Sequence, residues 1–256
     1  MNTDIKRFTL DCTQCYLLKA EDGYLLIDTG LRWTEKYFDR RLQKTGIDVD
    51  DIKTLFLTHC HDDHCGLLQY VVGRNPKIRV ILHEIAAERL RSGHNYFVPE
   101  SGIPSKGGVL LSRTLRVVSK QDGAFPPYDI REKDIVIRGD DDEILRGLGV
   151  DGTIIRTPGH TADSISILLD DGSCFAGDAA MSSWYALLAG CKYLTISIAN
   201  LEEFYASWGK ILANGAKTIY PSHGSPFRAD ILRKYGGRIK RLEPKFKRAL
   251  EEEDLS

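Results

Sequence analysis

Three of the chain's seven histidines fall within six residues, in the segment Thr58-His59-Cys60-His61-Asp62-Asp63-His64. Neutral imidazole and carboxylate are the donors zinc prefers when no thiolate is offered. Alternation in an extended segment puts His59 and His61 on one side, so that both imidazoles can reach one ion. Asp63 and His64 follow where the chain turns into a helix, which re-aims them toward a second ion. A lone histidine on an apolar face is usually a core residue. Three beside an aspartate point to metal chemistry.

One segment cannot enclose a metal centre, so further donors are expected at other strand ends. Thr157-Pro158-Gly159-His160-Thr161 follows the apolar run Thr153–Arg156, and its Pro-Gly pair turns the chain to present His160. Phe175-Ala176-Gly177-Asp178 ends another strand, with Gly177 allowing a close backbone approach. Ser222-His223-Gly224 follows Tyr220-Pro221. Taken singly, each reads as a turn. Together they add two histidines and one aspartate at the ends of buried strands.

The elements that must position these donors are legible in the periodicity. Strands are predicted over 5–10, 13–19 and 23–28, with Glu21-Asp22-Gly23 as a turn, then a helix over 33–44 closed by Gly46. Thr54–Thr58 is nearly all apolar, as a strand buried on both faces requires, and the histidine cluster follows it directly. In layered α/β folds ligands collect at the carboxyl ends of strands. A helix over 63–72, a strand over 78–82 and a helix over 84–91 come next. Residues 92–128 hold no sustained period. Strands resume near 134–138, 153–157, 164–169 and 173–176, the last two joined by Asp170-Asp171-Gly172. Asn200-Leu201-Glu202-Glu203 reads as a capping box opening a helix to Ala213, and a strand at Lys217–Tyr220 leads to His223. A final amphipathic helix is predicted over 231–250, kinked at Pro244, with a basic face that reads as solvated.

The bulk composition bounds the function classes. The 256 residues are 42% hydrophobic and 28% charged, with a net charge of −1, so nothing steers the molecule toward nucleic acid or an anionic membrane. No run approaches the roughly 18 consecutive apolar residues of a membrane span. The opening MNTDIKRFTLDC has no apolar signal segment, and the expectation is a cytoplasmic protein forming one domain over 1–256. Six cysteines in such a chain are expected to be buried thiols rather than disulfides. Cys12-Thr13-Gln14-Cys15 has knuckle spacing but no second pair to complete a structural zinc site.

The order HxHxDH, PGHT, GD and SHG, spread over most of the chain, resembles the metallo-β-lactamase-fold hydrolases. The resemblance implies an α/β four-layer αββα sandwich. It also implies that His59, His61 and His160 bind one metal, that Asp63, His64 and His223 bind a second, and that Asp178 bridges them. The two divalent ions would be zinc first, with iron or manganese as alternatives. Asp28, in Asp-Thr-Gly, resembles a family position that holds a ligand histidine through its other ring nitrogen and so fixes the tautomer. His83 has no counterpart in the pattern and reads as structural.

The implied reaction is hydrolysis by a metal-bridging hydroxide, with Asp63 and Asp178 as the catalytic carboxylates and a small or medium organic ester, lactone or thioester as substrate. Two ions ~3.5–4 Å apart lower the pKa of a shared water from 15.7 toward ~7, on the order of 12 kcal/mol. Substrate choice is expected from 92–128 and 181–194, with Trp184, Tyr185 and Tyr193 as candidate pocket residues. A phosphodiesterase or nuclease on the same site, and an iron-dependent oxygenase acting on sulfur compounds, are the alternatives. A small molecule is the expected partner, nucleic acid and membrane are not, and a homo-oligomer is left open.

Overall fold

Residues 15 to 18 sort by alternation onto two different apolar interiors. Cys15 and Leu17 face one, Tyr16 and Leu18 the other. That split generates the architecture of this computed structural model, which describes residues 4–95, 122–184, 192–195 and 197–237. The first sheet runs in the order β1 (Ile5–Leu10), β2 (Thr13–Ala20), β3 (Gly23–Ile27), β4 (Ile52–Phe56), β5 (Arg79–His83), β6 (Ile135–Ile137). Its first three strands are antiparallel and the rest join in parallel. The second sheet has the order β11 (Phe227–Arg228), β10 (Thr218–Pro221), β9 (Ser173–Gly177), β8 (Ile165–Leu169), β7 (Gly152–Arg156), with only β9 and β10 parallel.

Three separate apolar cores show how these sheets stack. Tyr16, Ile27, Phe56 and Ile81 from the first sheet meet Ile154, Ile167 and Phe175 from the second. On the far side of the first sheet, Leu17, Leu26 and Leu55 pack with Phe38 of α1 (Glu35–Thr45), Val71 of α3 (Leu68–Arg74) and Leu90 of α4 (Ala86–Ser92). On the far side of the second, Cys174 and Ile219 pack with Phe204, Trp208 and Ile211 of α5 (Leu201–Ala213). The sequence of layers is therefore helix, sheet, sheet, helix. Strands buried on both faces, such as β8 and β9, account for the continuous apolar runs in the sequence.

The elements follow the periodicity closely, with two instructive departures. The helix expected over 63–72 is two, α2 (Asp62–Cys65) and α3. The loop after β3 interrupts it: Thr29 N–H donates to the His64 carbonyl at 2.7 Å, and Thr29 Oγ1 accepts from Leu67 N at 3.1 Å. Backbone groups that would have continued one helix are spent on that loop. The irregular stretch after residue 92 begins and ends on itself, since His94 bridges Ala124 and Asn95 N donates to Gly123 O at 2.8 Å. Phe125 and Tyr128 then fill the first core. Asn200 caps α5 by accepting from Glu203 N at 3.1 Å. The helix expected over 231–250 is described only as far as residue 237. No helix among the described residues is long and apolar enough to cross a membrane.

Candidate metal centre

The carboxyl ends of β4, β7, β9 and β10 open onto one edge of the sandwich, and each delivers a donor there. After β4 the chain bends at Thr58 and His59 and is extended at His61, whose φ and ψ are −112° and 154°, before α2 begins. This keeps His59 and His61 pointing together and swings Asp63 and His64 away.

Beyond β7, Gly159 has a φ of 126°, and a Cβ there would overlap the backbone of Phe204 at the start of α5. That tight fit turns His160 inward. Beyond β9, Gly177 has a φ of 53°, and a Cβ would lie 2.7 Å from Cβ of Thr58. The missing side chain lets Asp178 come up against the β4 loop. His223 follows β10, where Ser222 N donates to the Gly177 carbonyl at 3.1 Å.

Seven side chains that the sequence scatters over 165 positions thus meet. His59 Nε2, His61 Nδ1 and His160 Nε2 lie 3.0–3.1 Å from one another. Neighbouring nitrogens around a tetrahedral zinc at 2.0–2.1 Å are about 3.3 Å apart, so this triangle suits a cation. The second group is looser. His223 Nε2 is 3.1 Å from Asp63 Oδ2, and His64 Nε2 is 3.6 Å from the same oxygen. Asp178 faces both groups, with Oδ2 3.7 Å from His160 Nε2 and Oδ1 3.4 and 3.6 Å from His223 and His64. His64 Nε2 and Asp178 Oδ1 are buried and have no hydrogen-bond partner, although such atoms are costly to leave unsatisfied. A cation answers both at once.

The outer ring nitrogens of His160, His223, His59 and His64 are committed elsewhere, and this aims the inner ones. A carbonyl can only accept, so His160 Nδ1–H donates to Ser197 O at 2.6 Å and His223 Nδ1–H to Cys12 O at 3.0 Å. Thr58 Oγ1 donates to Asp28 and accepts from His59 Nδ1 at 3.1 Å. Asp28 is fully buried and accepts from Thr58 N, Thr58 Oγ1, Ser222 Oγ and His64 Nδ1, all within 3.1 Å. Orientation of ligand histidines through their second nitrogen is a recurrent feature of metal sites.

Burial lowers the pKa values of His59, His61 and His160, with neighbouring imidazoles adding to it for the first two. That direction favours the neutral ring, the form a metal ion requires of imidazole. Burial pushes His64 the same way, but the carboxylates of Asp63, Asp28 and Asp178 outweigh it and raise His64 to about 9. Burial alone would raise Asp63, and the opposing pull of His64 and His223 brings it well below the carboxylate range. A proton on His64 thus balances the negative charge of the second group in the metal-free protein.

Several participants were not foreseen from sequence. Asp163, fully buried, accepts from Cys60 N at 2.8 Å and pairs with Arg89 at 3.2 Å, bracing the histidine loop. Asp62 accepts from Asn95 Nδ2 at 2.8 Å, and burial with Asp63 beside it raises its pKa to about 6. Both are polar positions beside motif residues, and only contact reveals their partners. The sequence alone places Cys12 among the buried thiols. It is instead partly exposed in the β1–β2 turn, its Sγ within 4.8 Å of donor atoms of Asp63 and His223. Cys15 does lie in the first core.

Trp184 is 70% exposed, two residues past Ser182, whose N–H donates to the His223 carbonyl at 2.9 Å. Tyr193 is buried, its ring 4.7 Å from Phe227 and 5.1 Å from Tyr235. Tyr185 lies outside the described residues. His83 is buried away from the cluster and accepts from Ile85 N at 3.3 Å through Nδ1.

Comparison with known proteins bears on this geometry. A relative named "Probable metallo-hydrolase" from Methanocaldococcus jannaschii is 29% identical over 204 residues, covering 78% of this chain and 82% of that protein. An N-acyl homoserine lactonase of Agrobacterium fabrum is 32% identical over 91 residues, 27% of this chain and 32% of its own. The chain spans 62% and 60% of the length of two further relatives, from Drosophila melanogaster and Bacillus subtilis. A subclass B3 metallo-beta-lactamase of Bradyrhizobium japonicum has the same fold, with a TM-score of 0.65 at 18% identity over 97% of this chain and 92% of that one. The family model described as the metallo-beta-lactamase superfamily matches residues 11–223, which include every donor of the cluster, and the chain belongs to that superfamily.

Proposed function

We propose that the protein is a dinuclear metal-dependent hydrolase acting on a small or medium organic ester, lactone or thioester. The observation that carries this reading is the pair of buried, unpartnered atoms, His64 Nε2 and Asp178 Oδ1, facing each other across 3.6 Å within a ring of further donors. His59, His61 and His160 would hold one ion, Asp63, His64 and His223 the other, and Asp178 would bridge them, with zinc the ion best suited to these donors. Bound ions supply Lewis acidity and a water ionisable near pH 7.

The chain's own residues do the rest. His160, His223, His59 and His64 are held in one tautomer each by Ser197, Cys12, Thr58 and Asp28, so no reorganisation is needed when a substrate arrives. Asp63 and Asp178 are the carboxylates at the reacting position. Asp178, with one oxygen toward each histidine group, is suited to orient the attacking water and carry its proton to the leaving oxygen. Trp184, exposed beside the segment tied to His223, supports an apolar wall for an acyl chain. The lactonase relative favours an acyl-oxygen bond as the target.

The test begins with metal analysis of protein purified without chelator, where about two ions per chain are expected. His59→Ala with Asp178→Ala should abolish both binding and turnover. A panel of lactones, thioesters, phosphodiesters and β-lactams then assigns the substrate. Folded protein carrying only trace metal after reconstitution would defeat the dinuclear reading. Turnover confined to phosphodiesters, or iron with oxygen uptake, would replace the substrate class.

A further inference from the structure

The β1–β2 turn is held against the second donor group by more contacts than a hairpin tip needs. Asp11 takes a positive φ of 57° there. Gln14 N donates to the Ser222 carbonyl at 2.7 Å, and Thr13 Oγ1 donates to Asp63 Oδ2 at 3.4 Å. The Cys12 carbonyl accepts from His223 Nδ1 at 3.0 Å. Between these anchors the Cys12 side chain is partly exposed, with Sγ within 4.8 Å of donor atoms of both Asp63 and His223. The thiols of Cys15, Cys60, Cys65 and Cys174 are buried.

We propose that the Cys12 thiolate is an additional protein ligand to the ion held by Asp63, His64 and His223. The inference rests on the two-ion reading above and extends it to a residue outside the histidine-aspartate motifs.

Two observations carry it together. Cys12 Sγ, Asp63 and His223 form a three-donor group of their own, and His64 Nε2, fully buried without a hydrogen-bond partner, faces the same Asp63 oxygen at 3.6 Å. Thiolate is the strongest zinc donor among side chains, and sulfur and nitrogen ligands of one tetrahedral zinc lie about 3.5 Å apart. A small rotation of a partly exposed side chain covers the difference. On binding, Sγ–H loses its proton to solvent and a sulfur lone pair enters the metal bond. The consequence is selectivity: sulfur favours zinc over manganese or magnesium in this position, whereas the three-histidine group discriminates less.

The full chain reconstituted with cobalt(II) tests this without recourse to activity. Two bound cobalt ions per chain with a thiolate-to-cobalt charge-transfer band in the near ultraviolet are expected. Cys12→Ser should lose that band and keep the visible bands of histidine and carboxylate ligation, while Cys174→Ala keeps all of them. A band that survives in Cys12→Ser overturns the proposal. Two ions with no such band in the unaltered protein overturn the thiolate ligand and leave the dinuclear reading standing. Fewer than two ions overturns both. Should Cys12→Ser not fold, X-ray absorption on the zinc-loaded unaltered protein decides: a sulfur neighbour at about 2.3 Å is expected, and its absence overturns the assignment.

Discussion

Asp28 and His64 form a fully buried pair, Oδ2 to Nδ1 at 2.8 Å, although 36 residues separate them in sequence. Asp28 also receives Thr58 and Ser222, so one carboxylate ties together the ends of β3, β4 and β10. Its positive φ of 58° is sustained by those three partner residues. Asp28→Ala should therefore act twice. Breaking a buried pair costs about 3–5 kcal/mol of stability. Losing the group that orients a ligand histidine weakens ion binding about 10–100-fold. Thermal melts and chelator competition measure the two separately, and unchanged ion affinity would mean that His64 is not oriented through Asp28.

Ion uptake should depend on pH through His64. Its pKa in the metal-free fold, about 9, lies above that of the unfolded chain, about 6.5. Stability from the protonated ring is therefore complete below about pH 6.5 and is lost as pH rises through about 9. An ion needs the neutral ring and must expel that proton, so the His64 proton by itself should tighten binding to the second group by about tenfold per pH unit between 7 and 9, and any further proton released on binding steepens this. Calorimetry in buffers of different ionisation enthalpy reads the released proton directly. A pH-independent affinity would contradict the assignment.

Gly177→Ala probes the approach of β9 to β4. Its new Cβ would meet Thr58 Cβ at 2.7 Å and Oγ1 at 2.8 Å, on a backbone at φ 53°. A loss of about 1–3 kcal/mol is expected from strain and overpacking. Because Thr58 and Asp178 both move, metal stoichiometry should fall along with the melting temperature. Gly209, in the middle of α5 where a Cβ meets nothing, is the control: Gly209→Ala should leave metal stoichiometry unchanged and raise the melting temperature slightly, since alanine is the better helix former.

Asp163→Ala should loosen the histidine loop without touching a donor. The Cys60 N–H and the Arg89 guanidinium would both lose a fully buried partner. The cost is about 1–3 kcal/mol for the unsatisfied groups. We expect a folded protein whose turnover drops more than its metal content, since His59 and His61 flank Cys60. A crystal structure showing an unshifted 59–64 segment would contradict this.

Much of the fold and most of the donor set are local properties, and these are readable without coordinates. Alternation in 15–18 assigns each side chain to a face because the strand period is two. The segment from Thr58 to His64 marks its candidate donors because side chains that could reach one ion must share a side of the chain. The family resemblance of PGHT, GD and SHG adds His160, Asp178 and His223 by order alone.

What only the tertiary structure decided is which partner each group meets, because those contacts join residues that are distant along the chain. Asp28 could have been a turn aspartate after a strand; it became the support of His64 because β3 and β4 are neighbours in parallel register. Asp163 and Asn95 carry no motif and matter through what they touch. Cys12 and Cys15 look alike in sequence, yet one lies in the core and the other beside His223 because the hairpin turn falls between them. Periodicity determines which way a side chain faces along its own strand, whereas its distance from a side chain on another element is set by how the sheets stack.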